Sequence, residues 1–278
     1  MNSPTTSTSQ SMRVVHGPAA APPRFSRNYP GYLATLGFVA IVSGAHSDAA
    51  LAQTAPSLGA NSTFGIVSST FTNTSAATVV NGDVCYTTGP ATAYTLNGTL
   101  LVPCSAQNGA DQNTALTNLN GQSCTSLGAG VVTLDTVVVG TNLPGTIPPG
   151  CYSSGGAMNI TTLATVTLSG AGVYIFKSGG PLGIGASSHV NLAKGACASR
   201  TFWAPVATTT LGASATFVGN IFDAAGITLG HLAVLTGRAL AFGATITADA
   251  NTITVPSDCD VIFQDGFESD VIFRNGFE

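Results

Sequence analysis

The most regularly placed functional side chains in this sequence are threonines. Thr208, Thr210, Thr228, Thr245 and Thr247 recur around short apolar runs. In a strand, alternate residues face opposite sides. With Leu211, Leu229 and Ile246 pointing inward, Thr210, Thr228 and Thr247 point out, and Thr208, Gly226 and Thr245 form a second outward column two positions earlier. The columns would lie about 6.6–6.8 Å apart along a strand, and successive strands about 4.7–4.9 Å apart. Threonine is stiff at χ1, so hydroxyls and methyls on such a lattice are held in place. The chemistry this suits is the ordering of water, each hydroxyl anchoring a molecule that a neighbouring methyl restricts. Threonine is also simply a favourable residue for an exposed strand, and residue type alone leaves both uses open.

Bond-making chemistry has little support. Beyond the first 52 residues there are two histidines, His189 and His231, and five dispersed basic residues. A polysaccharide lyase or hydrolase needs clustered acids or bases. Asp83, Asp135, Asp223 and Asp249 instead fall near strand ends or turns, where a solvated or capping carboxylate is the default. Gly183-Ile-Gly185 has no following lysine and is not a phosphate loop. His189 reads as a surface side chain, and no C-x-x-C pair suggests zinc or redox chemistry. The expectation is a protein without enzymatic activity, cofactor or metal.

The elements that position the threonines emerge from a repeat. Thr201–Gly212 is followed eighteen residues later by the similar Gly219–Gly230; Gly219 recurs as Gly237, and Phe217 as Leu235. Thr209-Thr-Leu-Gly212, Ile227-Thr-Leu-Gly230 and Thr245-Ile-Thr-Ala248 occupy equivalent positions, the last with one residue inserted. Gly185–Val190 resembles Gly212–Phe217 twenty-seven residues on, the extra nine matching an insertion around Asn191–Ser199. Runs of Val, Ile, Thr and aromatics cut by Gly or Ala are strand signals with turns. A step of about eighteen accommodates three short strands and three corners, and stacked coils share a core that one coil cannot make alone. The predicted fold is all-β, a β-solenoid of triangular section; a β-sandwich with accidental repetition is the competing architecture.

One segment departs from strand patterning. Ser105–Asn120 places Ala106, Ala110, Leu116 and Leu119 near helical spacing, which predicts one accompanying α-helix ending at Asn120-Gly121. Gly109 and four asparagines make it a weak helix former.

Composition narrows the class. Of 278 residues, 44% are hydrophobic and only 7% charged, against about 25% charged in a typical soluble domain. That excludes a coiled coil, and the apolar content argues against disorder. Eight Lys+Arg on a chain of net charge −4 cannot form the basic stripe needed for nucleic acid.

Residues 1–52 carry Arg24 and Arg27, an apolar run from Tyr32 to Val42, and Ala50-Leu51-Ala52, the three parts of a secretory signal peptide. The apolar run is too short for a membrane span of about 20 residues; Met12 is a second candidate start. The mature chain then begins near Gln53 with five basic and eleven acidic residues. Its six cysteines, Cys85, Cys104, Cys124, Cys151, Cys197 and Cys259, suit an exported, disulfide-bonded chain, with fifteen connectivities open. Residues 256–278 form a separate tail in which Asp260–Glu268 repeats as Asp270–Glu278 at a ten-residue step. Retention at the cell surface is one use for it, and a tail without consequence another.

Phe71-Thr-Asn-Thr74, Val79-Val-Asn-Gly-Asp83, Pro148-Pro-Gly-Cys-Tyr152, Gly172-Val-Tyr-Ile-Phe176, Thr201-Phe-Trp203, Ala215–Asn220, Ile227-Thr-Leu-Gly230, Leu235–Leu240 and Asn251-Thr-Ile253 together resemble the microbial ice-binding (antifreeze) proteins. The resemblance runs in order from about Ser57 to Val255. It implies a discontinuous right-handed β-solenoid with a helix alongside, binding of ice through one flat face, and neither enzyme activity nor cofactor. Thr92-Ala-Tyr-Thr95 matches once the Thr-Ala/Gly-x-Thr/Asn pattern that many members carry on that face. Two departures bear on the cap of the solenoid: the helix region is shorter and more polar than usual, and residues 84–104 are compressed with an additional cysteine pair, Cys85 and Cys104.

The resulting expectation is a secreted, monomeric protein with residues 53–255 as an ice-binding solenoid, whose partner is the ice surface and whose contacts are Thr208, Thr210, Thr228, Thr245 and Thr247. A cell-surface adhesin or matrix protein using the solenoid as a spacer is the alternative.

Overall fold

A computed structural model describes residues 53–257 and Cys259. The signal peptide expected over 1–52 and the repeated tail after Cys259 lie outside the described residues.

Short parallel strands stack into three ladders, so that each turn of chain lays one strand on each of three faces. The first face runs through Val132–Thr133, Met158–Ile160, Leu182–Ile184, Thr209–Leu211 and Ile227–Leu229 to the end of Val234–Ala248 and then to the end of Phe64–Asn73. The second runs through Thr146–Ile147, Thr165–Ser169, His189–Ala193 and the start of Thr216–Phe222 to the start of Val234–Ala248, Thr252–Thr254, Val79–Asn81 and Thr95–Asn97. The third includes Thr125–Gly128, Gly150–Ser154, Tyr174–Ser178 and Thr201–Pro205. This is the predicted β-solenoid. Later coils keep the eighteen-residue step, Thr216 pairing with Val234. Earlier ones take 24 or 27 residues, Met158 pairing with Leu182 and Leu182 with Thr209.

The stack is discontinuous in sequence. Phe64–Asn73 inserts beneath the last C-terminal coil, Ile66 pairing with Ala239 and Thr72 with Thr247, and its other edge meets Asp83–Cys85. The chain must then return to the far end of the stack, and helix α1 (Ala106–Gly121) makes that return. Its 16 residues cover about 24 Å, roughly five inter-strand spacings.

Inward side chains of successive coils superpose. Tyr152, Phe176, Trp203 and Phe217 form a ring column with consecutive centroids 5.7, 4.1 and 4.9 Å apart. The Trp203 indole donates to the Val218 carbonyl at 2.9 Å, satisfying a buried N–H. At the corner between the first and second faces, Leu163, Ser187, Ser214, Leu232 and Ala250 all take φ of 53–63°. Five coils thus repeat a left-handed turn without glycine, each bearing strain of about 1–2 kcal/mol.

The helix is held chiefly by amides, which explains how so polar a segment folds. Ser105 caps it, its hydroxyl accepting from the Asn108 N–H while the Asn108 side chain accepts from the Ser105 N–H. The buried Asn108 and Asn61 exchange two hydrogen bonds of 2.9 Å, Asn108 Nδ2 to Asn61 Oδ1 and Asn61 Nδ2 to the Asn108 carbonyl. Gln112 accepts from the Phe242 N–H at 3.0 Å. Ala115 and Leu119 supply the apolar contact, against a cluster with Val67, Ile175, Phe202, Phe222 and Leu240. The helix ends at Gly121, within the expected Asn120-Gly121 pair, and Gln122, with φ of −81°, is its C-cap. No left-handed glycine is needed because Lys177 Nζ donates to the carbonyls of Asn120 and Gln122 at 3.1 and 2.8 Å.

The disulfides are Cys85–Cys104, Cys124–Cys151 and Cys197–Cys259. The first closes the compressed segment 84–104 on itself; the second ties the helix exit to the third face.

The amide pair predicts a stability effect. Asn108→Ala leaves the buried Asn61 side chain short of partners and is expected to lower unfolding free energy by about 1–3 kcal/mol in urea titration. The exposed neighbour Asn113 replaced by alanine should cause no loss.

Candidate functional site

The pairing places all five expected threonines on the first face. Thr210 pairs with Thr228 and Thr228 with Thr247, while Thr245 stands two residues before Thr247, and Thr208 two before Thr210. Thr208, Thr210, Thr228 and Thr245 are exposed and Thr247 half-buried, while Leu211, Leu229 and Ile246 are fully buried. The inward–outward parity is as expected, with one correction of register: Ile246 is the rung partner of Ile227, not of Leu229.

The inserted strand adds residues that sequence reasoning misses. Thr70 pairs with Thr245, Thr72 with Thr247, and Thr88 bridges to Thr70. One column therefore reads Thr210, Thr228, Thr247, Thr72 and the other Thr208, Gly226, Thr245, Thr70, Thr88. Among the described residues none of these eight threonine hydroxyls has a hydrogen-bond partner, and the columns carry no charged side chain. Phe71-Thr72-Asn73-Thr74 stands out in the sequence, but nothing local shows that it lies beside residues more than 170 positions later. Thr95 of the single Thr92-Ala-Tyr-Thr95 match begins Thr95–Asn97 at the end of the second face, away from the others.

The gap at Gly226 has a structural cause. Its φ is +122°, and a Cβ there would stand 3.0 Å from the Thr245 carbonyl oxygen, so threonine is strained at that rung. Asp223 holds the turn: Oδ1 accepts from the N–H of Ala225 at 2.7 Å and of Gly226 at 3.1 Å. Oδ2 accepts from the hydroxyl of Thr209, the inward member of Thr208-Thr209-Thr210, at 2.6 Å. Asp223 is thus a capping carboxylate, though fully buried rather than solvated. Burial pushes its carboxyl above the usual carboxylate range, opposed by the hydrogen bonds from Thr209, Ala225 and Gly226. Asp135 likewise caps Thr161, at 2.9 Å from its N–H and 2.8 Å from its hydroxyl, and Asp83 caps the Thr99 N–H at 2.7 Å. His231, exposed, and Asp249, half-buried, are 3.1 Å apart in the turns that follow Ile227–Leu229 and Val234–Ala248, and His189 is exposed on the second face.

Fold and face together define a parallel β-solenoid that presents a regular hydroxyl array to solvent. Comparison with known proteins agrees on the fold. The profile of the ice-binding-like family matches residues 66–254, and the chain belongs to that family. It is 36% identical over 111 residues to an ice-binding protein of Flavobacterium frigoris (strain PS1), 40% of each chain. It is 33% identical over 132 residues to one from a Colwellia species, 47% of this chain and 52% of the relative. These matches span about two fifths and one half of the relatives' lengths. Among solved structures, an ice-binding protein from the Antarctic ascomycete Antarctomyces psychrotrophicus superposes with TM-score 0.65 at 30% identity, over 74% of this chain and 100% of the other. One from an Antarctic biological consortium gives 0.65 at 26% identity, over 74% and 93%.

The buried carboxyl predicts a pH dependence. A folded-state pKa above the unfolded value makes the stability contribution full below the unfolded carboxylate pKa and lost as pH rises through the folded one. The stability of the wild type relative to Asp223→Asn is expected to fall over that window on going from acid toward neutral pH. Equal pH profiles from chemical denaturation would remove the assignment.

Proposed function

We propose that this is an exported protein that adsorbs to ice through its first face and restrains ice growth or recrystallisation. The observation that carries the reading is the ladder of Thr210, Thr228, Thr247 and Thr72 beside Thr208, Thr245, Thr70 and Thr88, outward, uncharged and without protein partners for its hydroxyls.

The mechanism follows from rigidity. Rung spacing is set by the β-ladder at about 4.8 Å and column spacing by the strand rise at about 6.7 Å. Rotamer restriction keeps each hydroxyl and methyl in place. Water on this flat face is ordered into an array resembling a face of ice, so part of the ordering cost of adsorption is met beforehand. No bond is made or broken. The protein acts as a monomer beyond the cell, its signal peptide removed before Gln53; the names of its relatives support ice as partner. Among the described residues no helix is long and apolar enough to cross a membrane.

Thr228→Tyr is expected to abolish most thermal hysteresis and recrystallisation inhibition while changing stability by no more than about 0.5 kcal/mol, as for an exposed site. Thr72→Tyr should do the same despite lying at the opposite end of the sequence, and Thr252→Tyr on the second face should retain activity. Full activity in both first-face variants, against a heat-denatured control, would reject this face.

A further inference from the structure

The threonine column stops at Gly183, and two observations separate this stop from the gap at Gly226. Beyond Thr210 the same outward column continues in register as Gly183, Asn159 and Thr133. Polar rungs thus resume after one coil without a side chain. A shallow depression lies there, lined by Thr133, Asn159, Thr161, Gly183 and Thr210 among others. Unlike Gly226, Gly183 does not take a left-handed φ, so nothing in the backbone demands glycine. Its inward neighbours Leu182 and Ile184 are buried, so a side chain added at 183 points to the same side as Thr210. A Cβ at 183 would meet only the Asn159 side chain, with Oδ1 at 2.6 Å and Cγ at 3.6 Å; the amide leans across the empty rung. Displacing the end of that side chain is the one adjustment required.

We infer that Gly183 sets the extent of the ice-contact surface: the missing side chain, not the end of the solenoid, terminates the ordered column. The inference rests on the proposed function and on the first face as its site. In Gly183→Thr the column runs unbroken from Thr133 and Asn159, through the added hydroxyl, to Thr210, Thr228, Thr247 and Thr72. Its length grows from three to six inter-strand spacings, roughly from 14 to 29 Å. Adsorption through a rigid array gains with each rung that matches the same lattice, so a filled rung strengthens contact by joining two patches now separated. The neighbouring column does not change, because Pro181, Ala157 and Val131 occupy its equivalent positions.

The test compares thermal hysteresis of wild type, Gly183→Thr and the double variant Asn159→Thr/Gly183→Thr at equal molar concentration, with melting temperatures alongside. The double variant removes the amide that crowds the new side chain. The expected result is higher hysteresis than wild type in at least one variant at unchanged melting temperature, and Thr228→Tyr added to that variant should abolish the gain. Folded variants no more active than an active wild type would overturn the inference and leave the proposed function standing. An inactive wild type would remove both. Gly226→Thr is the contrasting substitution, expected to lose stability where Gly183→Thr does not.

Discussion

Backbone hydrogen bonds between coils fix everything else in this molecule. Because every strand pairs in parallel with the one below, residues of like parity superpose through the stack. The same register that aligns Phe176 with Trp203 inside the molecule aligns Thr210 with Thr228 outside it. A one-residue slip would carry the apolar set to solvent and the threonines into the core. The aromatic column and the hydroxyl array are therefore two faces of one constraint, and the core enforces the spacing of the surface.

That constraint also determines where side chains are forbidden. Asp223 draws the turn before Gly226 tight through two backbone N–H groups, which leaves one rung of the threonine lattice without a side chain. The carboxylate meanwhile satisfies Thr209, the threonine whose position in the strand turns it inward. With so few charged residues, many buried polar groups are matched by amides and hydroxyls. The Asn61–Asn108 pair joins the helix to the turn preceding the first strand, where an apolar seam would serve in a more ordinary domain.

Much of this is legible in the sequence, and the misses have a physical pattern. Eighteen- and twenty-seven-residue steps among Gly, Thr and aromatic positions reveal the coils, and period-two alternation sets the direction of Thr208, Thr210, Thr228, Thr245 and Thr247. What stays hidden is whatever depends on contacts between distant segments. Thr70 and Thr72 join the array only because Phe64–Asn73 is inserted under the last coil. Helix spacing locates α1 and its end at Gly121, but not that Lys177, more than fifty residues later, satisfies its terminal carbonyls. The inserted residue before Ile246 shifts its rung partner by two, which preserves parity and so leaves the facing correct. The disulfide connectivity is open in the sequence because it is fixed by which segments adjoin in the stack.

The insertion of the first strand has a kinetic consequence. The rungs of the hydroxyl array come from both ends of the folded domain, with Thr72 and Thr247 in direct register. Their pairing closes a loop of about 175 residues, and non-local closures of this kind come late and slowly in folding. Coils between residues 125 and 254 can stack on one another by shorter steps, yet none of those intermediates carries the complete lattice. Completion of the hydroxyl array during refolding should therefore trail the recovery of β-structure, so that the array reports the closing step of folding and not the coils that precede it.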